Sequence, residues 1–184
     1  VALGSSSGGF FVSALAEEYK FSSLVIMVSE GKFKSMQVKP DYPPTLFVHM
    51  VKDKRRASLI KNAIDMLRSK GIDTNEIKCY PLIVTPDYFT KIPGLDSMMS
   101  HRIYKVFKET GVIGDDNLMR LDGRAMNWMM PLKERQVMPD NYYKLWDMHV
   151  QELLNVAYGF HEMTSIQASE IFQWLSSQML KQVV

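Results

Sequence analysis

The residues Gly4-Ser5-Ser6-Ser7-Gly8 give a G-x-S-x-G spacing between the apolar stretch Val1-Ala2-Leu3 and an apolar run that begins at Phe10. A hydroxyl nucleophile on a sharp strand-to-helix turn needs such neighbours, because small residues let the backbone adopt the strained conformation that exposes the side chain. Ser6 holds the central position. The helix expected after it aims its first amides and the positive end of its dipole at the same place, which makes the Ser7 N–H the candidate to hold a developing oxyanion. A run of serine and glycine is also the composition of a flexible linker, and the pattern alone leaves both readings open.

A serine hydroxyl attacks well only with a base beside it and a carboxylate to orient that base. Asp53 follows the apolar run Thr45-Leu46-Phe47-Val48-His49-Met50-Val51, and His161 stands in Tyr158-Gly159-Phe160-His161-Glu162, just before the last helical stretch. The chain order is Ser, Asp, His. In that order the chain resembles the C-terminal part of an α/β-hydrolase, beginning at the nucleophile turn and covering about residues 1–84 and 150–184. Pro43-Pro44-Thr45-Leu46-Phe47-Val48-His49 resembles the strand that leads to the family's acid, and Phe172-Gln173-Trp174-Leu175 its closing helix.

The resemblance implies Ser6 as nucleophile, Asp53 as acid and His161 as general base. Glu30 is the alternative acid, since some members of the family take their carboxylate from the end of the preceding strand. The activity implied is that of a serine hydrolase acting on an ester, thioester or amide through an acyl-enzyme. A small ester-like molecule would be its partner, and no metal or organic cofactor is implied. The same fold can also serve as a non-catalytic binding or regulatory module, which fold alone does not exclude.

Each residue has a structural reading beside the chemical one. Asp53 belongs to the charge run Lys52-Asp53-Lys54-Arg55-Arg56, and such runs are usually solvated helix starts. His49 lies inside an apolar strand, as a core histidine would. His101 and His149 fall in helical stretches and read as packing or surface residues. Only His161 is placed in a loop at a helix start.

The elements needed to position these groups follow from the apolar pattern. Residues 10–19 read as a short helix, and Ser22–Ser29 as a strand buried on both faces. A second buried strand spans 45–51 after Pro43-Pro44. Leu59, Ile60, Ala63, Ile64 and Leu67 form the stripe of an amphipathic helix over 55–70. Residues 77–84 read as a third strand, demoted to an edge by Pro81, and 163–182 as a closing helix. The expected fold is α/β, a partial α/β-hydrolase with a mostly parallel sheet flanked by helices.

Three segments are expected: a core over 1–84, a helical insertion or cap over 85–150, and the histidine loop and closing helix over 151–184. A cap between the last strand and the histidine is not the family's usual arrangement. Its Met98, Met99, Met126, Trp128, Met129 and Met130 read either as core of the insertion or as an adaptable apolar surface.

Composition bounds the rest. The 184 residues carry 22 basic and 20 acidic side chains, a balance that predicts neither nucleic acid nor an anionic membrane as partner. Cys79 is the single cysteine, which excludes an internal disulfide or a multi-cysteine zinc site and fits a reducing, cytoplasmic location. The apolar run Leu24–Val28 falls far short of a bilayer span of roughly 20 residues. Residue 1 is Val, and the chain reads as part of something longer. The family's second oxyanion donor and its earlier strands would lie upstream. Because loss of one such donor costs on the order of 10² to 10³ in turnover, the chain alone is expected to be inactive or incompletely folded.

Overall fold

The computed structural model describes residues 1–120, 129–137, 140–159 and 168–181, with 140–148 described by backbone only. In chain order the elements are β1 (Ala2–Ser5), α1 (Ser7–Leu15), β2 (Leu24–Met27), β3 (Thr45–Met50), α2 (Lys54–Ser69), β4 (Thr74–Cys79), α3 (Ser97–Glu109), α4 (Met130–Glu134), α5 (Asp140–Tyr158) and α6 (Ala168–Lys181). They fall into two units, Val1–Tyr80 with Met163–Val184, and Pro81–Glu162.

Every residue of β2 and β3 is buried, as continuous apolar runs covered on two faces require. The strands of the first unit form one all-parallel sheet in the order β1-β2-β3-β4. On one face Leu24, Ile26 and Phe47 pack with Val12 of α1 and with Ile60, Ala63, Ile64 and Leu67 of α2. On the other, Val25, Met27, Leu46, Val48 and Met50 pack with Ile171, Trp174 and Leu175 of α6. The class is α/β, and this alternation along β2 and β3 is what sandwiches the sheet between helices. No described helix is long and apolar enough to cross a membrane.

β4 departs from the expected strand over 77–84. It pairs with β3 from Thr45↔Thr74 to Met50↔Cys79. The ladder stops before Pro81, which has no N–H to donate. Its start is hidden in the sequence because Asn75, Glu76 and Lys78 break the apolar pattern, as an edge strand tolerates. Residues 81–84 join the second unit instead: the Leu82 N–H donates to Ala157 O at 2.9 Å and the Val84 N–H to Asn117 O at 2.8 Å. The boundary therefore falls after Tyr80, not after Val84. Residues 151–158 likewise continue α5, with Leu154 and Ala157 in the second unit's core, so they do not belong to the segment expected to close the first unit.

His49 is buried on β3, its Nε2 2.7 Å from Glu76 Oε1, while Lys78 Nζ approaches Glu76 Oε2 at 3.3 Å. Partial burial raises the Glu76 pKa, but the hydrogen bonds from His49 and Lys78 outweigh it and hold the carboxyl below its ordinary value of 4.5. A depressed pKa stabilises the fold above the unfolded value, and that stability is lost as pH falls through the folded one. The difference in unfolding free energy between wild type and Glu76→Gln is thus expected to be full above pH 4.5 and to close in acid. Urea melts at stepped pH measure it; a difference constant down to strong acid would show that these partners do not hold Glu76 charged.

The second unit is helical around Phe89, Ile92, Ile103, Phe107, Leu132 and Leu154. Buried Ser100 clasps the segment before α3 to that helix, accepting the Phe89 N–H at 3.1 Å and donating to Pro86 O at 2.6 Å. Met99 and Met129 pack against this core, whereas Met98 and Met130 are exposed. Met126 and Trp128 lie outside the described residues.

Candidate active site

β1 ends at Ser5 and α1 begins at Ser7, so the whole change of direction falls on Ser6. Its backbone sits at φ 50°, ψ −116°, a conformation that non-glycine residues rarely enter and that costs about 1–3 kcal/mol. It is pinned from both sides: the Ser6 N–H donates to Met27 O of β2 at 2.9 Å, and Ser6 O accepts the Gly9 N–H of α1 at 3.1 Å. Glycine at position 4 is what allows the turn. A Cβ there would stand 2.3 Å from Gly8 O and 2.4 Å from Gly8 C, whereas a Cβ on Gly8 itself would meet nothing within 4 Å.

The neighbouring strand ends in strain as well. Val28 follows β2 at φ 46°, an outlier for a β-branched residue, and its N–H donates to Val48 O at 2.7 Å. Ser29 and Glu30 follow directly and, with Ser6, Ser7, Phe10 and Arg56, line a cavity of about 320 Å³. No signal in the sequence marks Val28, because a valine between apolar residues reads as ordinary strand. α1 opens at this cavity, and the first amides of a helix have no partner within it.

Asp53 is placed just past the end of β3, where it is the N-cap of α2 and accepts the Arg56 N–H on Oδ1 at 3.1 Å. A cap on a helix that starts at a strand end is compatible with either reading of this carboxylate. Glu30, the alternative acid, is ion-paired through Oε2 to the Arg56 guanidinium. Arg56 thus ties the two carboxylates' positions together, capped by one through its backbone and held by the other through its side chain. That tie joins residues 26 positions apart in the sequence, so the local charge run does not encode it.

His161 lies outside the described residues. His49 is the core histidine described above, and His149 is a surface residue with Nδ1 3.9 Å from Glu152. His101 belongs to an exposed group that the sequence did not single out. Its Nε2 lies 2.9 Å from Asp87 Oδ1, and Ser97 Oγ donates to the same oxygen at 2.5 Å. Those hydrogen bonds, Ser97 first and His101 after it, hold the Asp87 carboxyl below its usual range. Ser97 Oγ also lies 3.4 Å from His101 Nε2, the same ring nitrogen that faces Asp87, so serine and acid meet one nitrogen and the imidazole does not stand between acid and hydroxyl as general-base activation requires.

Among the described residues no group of three or more His, Cys, Asp and Glu side chains is arranged to hold a metal ion. Cys79 is buried, and that burial pushes its thiol up to about 11, away from thiolate chemistry. Comparison with protein-family models, with curated proteins and with solved structures finds no match to this chain.

Proposed function

We propose that this chain carries the nucleophile of a serine hydrolase of the α/β-hydrolase type, acting on an ester, thioester or amide. The observation that carries the reading is the backbone of Ser6, a serine held at positive φ on a strand-to-helix turn, with a glycine at position 4 where no other residue fits. Strain of this kind is kept where a side chain must be presented, and here it presents a hydroxyl at the first turn of a helix.

In this reading His161 takes the Ser6 proton as Oγ attacks the substrate's carbonyl carbon, and the Ser7 N–H donates to the resulting oxyanion. Collapse expels the alcohol, thiol or amine, which receives the proton from His161. Water, deprotonated by His161, then attacks the acyl-enzyme and restores the serine. Asp53 holds the imidazole in the tautomer that accepts at the serine side. Glu30 is the weaker choice for the acid, because its carboxylate is committed to Arg56.

Turnover of short-chain p-nitrophenyl esters by the full-length protein, abolished by His161→Ala, is the expected result. Saturable binding of those esters without release of nitrophenol would overturn the hydrolase reading and assign the fold to recognition.

A further inference from the structure

We propose that a groove beside the Ser6 cavity seats an aliphatic chain ending in an anionic group, as the acyl part of the substrate; that use rests on the hydrolase reading above. The groove has a volume of about 650 Å³ and lies between the start of α1, the segment 30–35 and α2, within the size range of small-molecule sites. Phe10, Phe33, Leu59, Ala63 and Met66 supply its apolar lining. Phe10 and Glu30 line both this groove and the Ser6 cavity. A ligand reaching both passes Phe10 and the Glu30–Arg56 pair.

Charge selects the ligand. Glu30 is neutralised by Arg56, while Lys32 and Lys34, which are also among the lining residues, have no ion-pair partner among the described residues. An uncharged chain would leave both lysines unused, and a bare anion would leave the apolar walls unused. A chain with an anionic end uses both.

The walls are set before any ligand arrives. Gly31 adopts φ +68°, and a Cβ there would lie 2.6 Å from the Phe33 ring and 3.0 Å from Ser13 Oγ. That hydroxyl accepts the Lys32 N–H at 2.8 Å and donates to Phe10 O at 2.7 Å, tying the segment to α1. Phe33 is held edge-on by Tyr42 and Phe47, with ring centroids 5.6 and 5.9 Å away. A preformed groove spends little binding energy on ordering itself.

The test uses the full chain carrying Ser6→Ala, titrated with the fluorescent probe dansyl-undecanoic acid. Saturable binding is expected, displaced by octanoate and not by octanamide. It should weaken roughly tenfold when Lys32→Glu and Lys34→Glu are combined. Asn62→Trp, at an exposed position lining the groove, should weaken it by blocking the space. Equal displacement by octanamide, or affinity unchanged in these variants, would overturn the proposal. With Ser6 intact, faster turnover of p-nitrophenyl hemiglutarate than of p-nitrophenyl valerate, lost in the lysine variant, assigns the anion to the substrate. Binding without that preference supports the same chemistry but assigns it to a free amphiphilic acid. Because binding to Ser6→Ala needs no turnover, failure of the groove and failure of the hydrolase reading are seen separately.

Discussion

Gly4→Ala is expected to lower the stability of the chain on the order of 3 kcal/mol, while Gly8→Ala leaves it unchanged or raises it by about 0.5 kcal/mol. The two glycines occupy the outer positions of one motif, yet their surroundings differ. A methyl at position 4 would lie 2.3 Å from the Gly8 carbonyl oxygen, and backbone cannot rotate out of the way as a side chain can. Either the strand and helix separate or Ser6 leaves its strained conformation, and each route also changes how the Ser6 hydroxyl is presented. At position 8 the methyl meets open space, on a helical residue, where alanine is the better helix former. Urea melts of the two variants decide the matter. Equal destabilisation would mean that β1 and α1 do not approach as closely as the turn requires.

Asp53→Asn is expected to cut ester turnover by on the order of 10³ to 10⁴ while changing stability by less than about 0.5 kcal/mol. The substitution separates the two roles open to this residue. Asparagine caps a helix as well as aspartate does, so the hydrogen bond from the Arg56 N–H survives. A neutral amide cannot stabilise an imidazolium, and it favours the wrong tautomer of a histidine beside it. If Asp53 served only to start α2, both turnover and stability would stay near wild type. Turnover within a few-fold of wild type would remove Asp53 from the acid's place. Glu30→Gln would then be the next variant to assay.

How far the sequence revealed this arrangement varied with the kind of signal. β2, β3 and α2 were legible because continuous burial and a helical stripe are written in consecutive residues. β4 was misplaced because an edge strand with Glu76 and Lys78 carries no such signature, while Leu82-Ile83-Val84 does and belongs elsewhere. The strand-to-helix turn at Ser6 was legible as a spacing, but the spacing treats Gly4 and Gly8 alike, and only the three-dimensional approach of helix to strand tells them apart. The strain at Val28, the Arg56–Glu30 pair and the groove's clasp through Ser13 join positions far apart in sequence. No local pattern encodes them.

The most direct measurement is the site of covalent attachment when the full-length protein is treated with a serine-directed fluorophosphonate and mapped by peptide mass spectrometry. A stoichiometric adduct on Ser6, and none on Ser6→Ala, is the expected result. An adduct on another serine, or labelling of the wild type and Ser6→Ala to the same extent, would contradict it.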